Sequence, residues 1–383
     1  MGVLINLNEK VKSQLLPEGF RDGLPDLAEL EYQINSIFIN LMLSNGFMMV
    51  KPPLVEFESS LFFLTKDSEN IDSFRVMDPL TQKIMGIRSD ITMQVARIAC
   101  GSLIENKRPM RLCYTGEILK VKNNNINLSR QFTQIGAEII GVDKTFSLSE
   151  IINLITEFFN SLKIRKFIIN FYMPNLINLI SKDFNLKKPE FEILIDCYKN
   201  KNLSALKDIS NDLFKMSEYL LQCIGNVDEK IDLLKKYKFP INIKSEIYSF
   251  ISQIKKIKDE FIKYEIIIDP LEIDESSYHK GFCFKIYSEN SKELISGGGY
   301  DVDNELCSGF SGFLENLILE SQIKKIIKSR ILVEYNLKFE KIKSLQKKRK
   351  MIVIKSIKKF SKSQLAKEAK NQKCRYYFFK TKF

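Results

Sequence analysis

The chain has 383 residues, 44% hydrophobic and 28% charged, enough for two or three domains with a sizeable buried core. Its seven cysteines form no C-x-x-C pair and His279 is its only histidine, which argues against zinc fingers, disulfide scaffolds and multi-histidine metal sites. The formal net charge of +12 is uneven: Ser321 to Phe383 holds 21 Lys+Arg against 3 Asp+Glu, so a mildly acidic body precedes a strongly basic tail.

Such a tail invites a nucleic-acid reading, because Lys and Arg that neutralise phosphates release counterions on binding. The same tail follows from coding bias, since Lys dominates the basic residues, Ile and Asn are abundant and Trp is absent. A nucleic-acid partner is therefore not expected. No apolar run approaches the ~20 residues of a membrane span, and the first ten residues lack the basic start of a secretory signal. The expectation is a reduced, cytoplasmic protein with no membrane contact.

Pro17-Glu18-Gly19 and Arg21-Asp22 make a turn-rich opening. Beyond Pro25, apolar residues at Leu27, Leu30, Ile34, Ile37, Phe38 and Leu41 recur at spacings of three and four, which predicts an amphipathic helix stopped by Asn45-Gly46. Phe47 to Val50 reads as a strand ended by Pro52-Pro53, since proline cannot donate to a central ladder. Met85 to Arg97 reads as a strand entering a helix, with Asp90 as its cap.

Arg111 to Lys120 and Arg130 to Ile140 predict an antiparallel hairpin whose long connection centres on Asn123-Asn124-Asn125. Ser147-Leu148-Ser149-Glu150 has capping-box form and opens a helix through Leu162, followed by a strand from Lys166 to Tyr172. From Pro174 to about Tyr264 the pattern is almost wholly helical, interrupted at Phe239-Pro240, and reads as an insertion. Strands return at Ile266 to Ile268, Phe282 to Ile286 and Leu294-Ile295, before a helix near Gly312 to Ile323. Met351 to Ile354, a helix initiated at Ser363 and Tyr376 to Phe379 predict a small βαβ-like appendage. The division expected is a core over residues 1–173 and 265–330, a helical insertion over 174–264 and a basic appendage over 331–383.

Three constellations could carry chemistry. Gln134, Gly136 and Glu138 alternate along one predicted strand and so share a face. Ile135, Ile139 and Ile140 imply that Glu138 is at least partly buried, which requires a ligand or a partner such as Arg88 or Arg130. Gly297-Gly298-Gly299 lets the backbone approach a ligand or another strand closely, but it lacks the Gly-Lys-Ser/Thr of a P-loop and the spaced glycines of dinucleotide binders. His279 could be a ligand contact or simply a packed residue.

The order of these segments resembles the catalytic domain of class II aminoacyl-tRNA synthetases, specifically the histidyl branch, over roughly residues 15 to 325. Pro17 to Asp22 with Pro25 is similar to its opening, and Pro53-Leu54-Val55-Glu56 to the end of its first motif, which implies a self-dimer through that region. Arg88-Ser89-Asp90-Ile91-Thr92 is similar to its Arg-Pro-Glu-Gly-Thr segment, Arg130 to Gln134 with Gly136 and Glu138 to its second-motif return strand, and Gly298 to Asp301 to its third motif. The fold implied is α+β: an antiparallel sheet flanked by helices, with a helical insertion and a small C-terminal appendage.

The departures fall at the positions that hold ATP in the synthetases. Lys120, Lys122 and Asn316 stand where the resemblance implies a phosphate-binding arginine, a glutamate and a second arginine. A lysine is a point charge, not a bidentate fork, so the exchange is not conservative. Asp274-Glu275-Ser276-Ser277 replaces the segment that carries the activating arginine. The positions similar to the histidine pocket persist: Asp90 and Gln134 toward an α-amino group, Thr92 beside them, Glu138 and Tyr300 toward an imidazole, and His279 where the synthetase has a tyrosine.

That combination, with the phrases Phe74 to Pro79 and Arg111 to Tyr114, resembles the regulatory subunits of ATP phosphoribosyltransferase. The resemblance implies no catalytic residues, cofactor or metal of the chain's own, free histidine as effector, and a hetero-octamer with the short-form catalytic subunit in the first step of histidine biosynthesis. A histidyl-tRNA synthetase, or a tRNA-binding paralogue of one, is the alternative. The 53 residues after Arg330 are fewer than the roughly one hundred of a synthetase anticodon module.

Overall fold

In the computed structural model, residues 15–61, 73–121, 129–142, 144–274, 278–303, 305–323 and 329–379 are described below. Helix α1 (Pro25–Ser44) starts on its proline, whose missing N–H costs nothing at that position, and buries Ile34, Phe38 and Met42 at successive four-residue steps. The backbone N–H of Asn45 caps its last turn, and Gly46, at φ 81°, turns the chain into strand β1 (Met48–Met49).

The remaining elements up to the central hairpin are β2 (Val55–Phe57), α2 (Glu58–Leu61), β3 (Phe74–Met77), β4 (Ile84–Ile87) and α3 (Thr92–Cys100). Then come β5 (Met110–Leu119), β6 (Gln131–Ile140), α4 (Lys144–Leu162) and β7 (Phe167–Tyr172). Helix α4 begins three residues before the expected Ser147 cap. Ser147 is fully buried and its hydroxyl bonds to that of Ser308, so tertiary packing claims the side chain that local pattern assigned to capping.

Beyond β7 the chain is helical, with α5 (Leu176–Asp183), α6 (Lys188–Asn200), α7 (Leu206–Ile209), α8 (Asn211–Gln222), α9 (Val227–Lys236) and α10 (Ile241–Lys258). Pro240 stands just before α10, where proline belongs. One short strand interrupts this run: β8 (Gly225–Asn226) pairs with β9 (Glu265–Ile268) at the sheet edge, a two-residue element without a readable alternation. Strands β10 (His279–Ser288), β11 (Glu293–Val302) and β12 (Glu305–Phe313) and helix α11 (Leu314–Glu320) complete this part.

The chain clusters into two compact units, residues 1–323 and 324–383. The first holds a nine-stranded sheet in the order β1-β5-β6-β12-β11-β10-β7-β9-β8 and a smaller antiparallel sheet β2-β4-β3. In the large sheet β1 runs parallel to β5 and β7 parallel to β9, and the other pairings are antiparallel. Each long strand has two chemically distinct faces. Ile135, Ala137 and Ile139 of β6 and Phe282, Phe284 and Ile286 of β10 are buried on the helix-covered side or beside it, where Ile34, Phe38, Ile155 and Phe158 join one large apolar core. The alternate residues, Gln134 and Glu138 of β6 and Cys283 and Lys285 of β10, lie on the opposite face, where the polar groups gather.

The second unit is a separate layered structure. Strands β13 (Arg330–Val333), β14 (Ile352–Lys355) and β15 (Tyr376–Phe378) form a parallel sheet with β13 in the middle. Helix α12 (Phe339–Arg349) contributes Leu345 to a cluster with Ile331 and Val333, while α13 (Lys362–Asn371) contributes Leu365 and Ala369 to a cluster with Leu332. Helix α13 is capped two residues earlier than expected, with Ser361 and Gln364 forming a reciprocal capping box. The central strand β13 was not legible in the sequence, because its four residues follow a lysine-rich stretch without a turn signal.

Among the described residues no helix is long and apolar enough to cross a membrane. Phe158 is fully buried and its ring meets Phe38 edge-on at 5.3 Å. Phe158→Ala is expected to lower unfolding stability by about 3–5 kcal/mol, read as a shift of the urea midpoint with an unchanged slope.

Candidate functional site

The polar face of the large sheet converges on one buried carboxylate. Glu138 is 1% exposed; its Oε2 accepts a hydrogen bond from the Tyr300 hydroxyl at 2.8 Å and its Oε1 one from the Tyr114 hydroxyl at 3.2 Å. Tyr114 also shares a 2.8 Å hydrogen bond with the Thr92 hydroxyl. The sheet register makes this possible: Glu138 lies across from Leu112 on one side and Gly309 on the other. A β-carbon at 309 would fall on the Glu138 carboxylate, so the glycine supplies the room that the acid occupies.

Asp90 anchors the second half of the cluster. Its Oδ1 accepts from the Thr92 backbone N–H and from Gln134 Nε2, each at 2.9 Å, and its Oδ2 accepts from the Tyr278 hydroxyl at 3.0 Å. Gln134 Oε1 in turn accepts from the Ile91 backbone N–H at 2.8 Å. Asp90 therefore braces the start of α3 from one position before Ile91, the residue that precedes the helix, and also carries the cross-sheet bonds.

Asp90, Thr92, Gln134, Glu138 and Tyr300 thus form one hydrogen-bonded network, joined by Tyr114 and Tyr278. These two tyrosines did not stand out in the sequence as members of a site. Tyr114 carried a signal in its alternation along β5, where it faces Gly136. Tyr278 carried none, because its partner Asp90 is 188 residues away.

His279 packs against the edge of that network. Its Nδ1 is 2.7 Å from Asp274 Oδ2, and its ring packs 4.6 Å from Tyr278 and 6.5 Å from Tyr300, centroid to centroid. It supports Tyr278 from behind. The tilt of the Tyr278 ring against Tyr300 is edge-on at 5.7 Å, a favourable arrangement for two quadrupoles.

Among the described residues Glu138 has no ion-pair partner, and the two arginines considered for it go elsewhere. Arg88 is buried and donates to the backbone carbonyls of Glu117 at 2.7 Å and Pro52 at 2.9 Å, tying the proline turn to the central hairpin. Arg130 places its guanidinium 4.5 Å from the Phe74 ring centre. Burial pushes the Glu138 carboxyl up from 4.5 to about 8, partly offset by the Tyr300 hydrogen bond and reinforced by the Asp90 carboxylate. The same burial, with Glu138 nearby, holds the Tyr300 phenol well above its ordinary value.

Of the positions at the implied ATP site, Lys120 extends over the Phe313 ring at 4.6 Å and Asn316 donates to the Glu293 carbonyl at 2.9 Å. Lys122, Glu275, Ser276 and Ser277 lie outside the described residues. Asn316 is spent on holding α11 to β11, and Lys120 lies over an aromatic face.

The histidyl-tRNA synthetase family model matches residues 19–317. The ATP phosphoribosyltransferase regulatory subunit of Gluconobacter oxydans (strain 621H) is 30% identical over 293 residues, 76% of this chain and 77% of that one. The chain belongs to the family of ATP phosphoribosyltransferase regulatory subunits. The regulatory subunit of Rhodospirillum rubrum is 29% identical over 324 residues, 83% of this chain and 84% of that one.

Solved structures agree on the fold. An ATP phosphoribosyltransferase regulatory subunit/histidyl-tRNA synthetase from Bacillus halodurans superposes with a TM-score of 0.78 at 19% identity, over 95% of this chain and 97% of that chain. Histidyl-tRNA synthetase from Nostoc sp. PCC 7120 gives 0.72 at 18% identity, over 96% and 91%. The sheet of this regulatory-subunit family member is therefore the class II synthetase sheet, and the Glu138 network sits on its polar face.

The raised Glu138 pKa has a definite sign. The folded protein holds that proton more tightly than the unfolded chain does, so stability falls as pH rises from about 4.5 to about 8. Glu315, raised by burial to about 7, acts in the same direction. Glu138→Gln is expected to flatten, without abolishing, the decline in urea midpoint between about pH 5 and about pH 8. An undiminished decline in the variant would place the titrating group elsewhere.

Proposed function

We propose that this chain is a non-catalytic regulatory subunit that a short-form ATP phosphoribosyltransferase catalytic subunit requires for activity, and that free histidine binds it as a feedback ligand. The observation that supports the reading is the hydrogen-bonded cluster of Asp90, Thr92, Gln134, Glu138 and Tyr300, together with Lys120 and Asn316 at positions where the resemblance implies phosphate-binding arginines. Asp90 and Gln134 would receive the α-amino group, with Thr92 beside them. Glu138 and Tyr300 would receive the imidazole, and His279 would act through the Tyr278 ring it supports.

Chemistry favours binding over activation here. A buried carboxyl flanked by two phenols can exchange its proton with an imidazole, and an exposed-side carboxylate can take an ammonium. Lys120 and Asn316, by contrast, offer one point charge and one amide already bonded to a backbone carbonyl where a triphosphate would need bidentate cations. If each missing contact costs what a preorganised transition-state donor contributes, about 3–4 kcal/mol, adenylate formation falls by several orders of magnitude. The assembly proposed is a hetero-octamer with the catalytic chains, containing self-dimers formed through the first-motif region around Pro53 to Glu56, in the cytoplasm.

The rival reading, a histidyl-tRNA synthetase, rests on the match of residues 19–317 to that family model. The two are separated by adding the purified chain to a short-form catalytic subunit and following phosphoribosyl transfer to ATP with increasing histidine. Stimulation that histidine reverses is expected, and Glu138→Gln should weaken the histidine response by about tenfold or more, as for loss of a hydrogen bond to a charged group. Histidine-dependent ATP–pyrophosphate exchange by the chain alone, or no stimulation of the catalytic subunit, would overturn the proposal.

A further inference from the structure

Outside the Glu138 network, the polar face of the sheet gathers a second set of side chains at its β10 end. Asp274, His279 and Cys283 each offer one ligand atom, an oxygen, a nitrogen and a sulfur, and these atoms all lie within 4.8 Å of one another. Cys283 is fully buried, and Asp274 and His279 are largely so. Oxygen, imidazole and thiolate donors together are the ligand set of a borderline-soft divalent cation such as zinc, and three protein ligands leave a fourth position open.

Two independent features of the fold surround this cluster. The first is room for the sulfur. Cys283 faces Gly298 across the sheet, and a β-carbon at 298 would fall on the Cys283 Sγ. The register between His279 and Cys283 is also irregular, and a slipped register re-aims side chains that regular alternation would fix.

The second is an orphaned donor. Tyr172 lies directly across from Cys283 on β7; its hydroxyl is fully buried and has no hydrogen-bond partner among the described residues. An unpartnered phenol in the interior costs the protein its desolvation, which a cation-bound water or anion beside the cluster would relieve.

We propose that Asp274, His279 and Cys283 bind a single divalent transition-metal cation of the zinc type. Binding exchanges the thiol proton of Cys283, which leaves to solvent, for a metal–sulfur bond, with His279 neutral and Asp274 ionised; nothing is oxidised or reduced. The cation joins the end of the segment at Asp274 to the start of β10. It therefore holds in place His279, on which the Tyr278 ring rests, and through Tyr278 the Asp90 carboxylate. The site is built from residues five and then four positions apart with no local motif, which is why a search for paired cysteines and histidines passes over it.

The test uses the full chain without a polyhistidine tag, stripped with a chelator and titrated with cobalt(II) in a buffer free of histidine and imidazole. One equivalent is expected to bind with the visible bands of a four-coordinate site and a near-ultraviolet thiolate-to-cobalt band, and zinc should displace it. Cys283→Ser should abolish the thiolate band, Cys374→Ser should keep it, and Asp274→Asn and His279→Gln should each weaken binding by about tenfold or more, as removing even a supporting partner does. A thiolate band that survives in Cys283→Ser, or no uptake by the unaltered chain, overturns the site. If Cys283→Ser fails to fold, unchanged affinity in both Asp274→Asn and His279→Gln overturns it instead. No catalytic subunit or histidine enters the measurement, so its failure leaves the regulatory reading standing, and the reverse.

Discussion

A carboxyl group with 1% exposure and no cationic partner among the described residues is the constraint around which the polar face of this sheet is arranged. Ionised in an apolar interior, Glu138 would cost several kcal/mol; neutral, it can be both donor and acceptor. The surroundings make the neutral form tolerable. Two phenol hydroxyls reach it from β5 and β11, and Gly309 on the intervening strand leaves the space it fills. Replace that glycine by any other residue and the carboxylate has nowhere to lie, so the glycine-rich stretch of β12 and the acid of β6 are one feature.

The same row of the sheet continues outward. Glu138, Gly309, Gly298, Cys283 and Tyr172 lie side by side on five strands, with both glycines giving their volume to a neighbour's reactive group. Three strand spacings of about 4.8 Å separate the Glu138 and Cys283 backbones by about 14 Å, but the carboxylate reaches over Gly309 and the thiol over Gly298, so the two reactive groups lie over paired residues of adjacent strands. The apolar residues of the same strands point the other way, into the core with α1 and α4. Burial on one face thus fixes the register that makes the other face chemically specific, because a one-residue slip would exchange the two sets.

Much of this was legible in the sequence, and the part that was not has a common cause. The shared face of Gln134 and Glu138 follows from strict alternation along β6, and the burial of Glu138 from its isoleucine neighbours. Helix α1 follows from three- and four-residue spacing. Partner choice does not follow, because it is made across the fold: Arg88 was a candidate for Glu138 and instead satisfies the carbonyls of Pro52 and Glu117, groups that every residue carries and no sequence pattern distinguishes. Ser147 reads as a helix cap and is taken by Ser308, 161 residues away. The short strands β8 and β13 are too brief for a period, and the Asp274–His279–Cys283 cluster depends on an irregular register that only the folded pairing reveals.

The closed state of the Glu138 network sets the energetic terms for any effector. Asp90, Gln134, Thr92, Tyr114, Tyr278 and Tyr300 already satisfy one another, so an entering amino acid must replace bonds and not merely fill vacancies. For the proposed histidine ligand, the net gain would be only the difference between its own contacts to Asp90 and Glu138 and the hydrogen bonds to those two carboxyls that it displaces, about 1–2 kcal/mol per exchanged pair. Under the regulatory reading, that small difference becomes a switch only if the displaced group is coupled to something beyond the pocket. Tyr278 is the displaced group with such a connection, since its ring rests on His279 and His279 is bonded to Asp274. Moving Tyr278 off Asp90 therefore disturbs the segment at Asp274, and by reciprocity whatever fixes that segment alters the affinity for the ligand by the same factor.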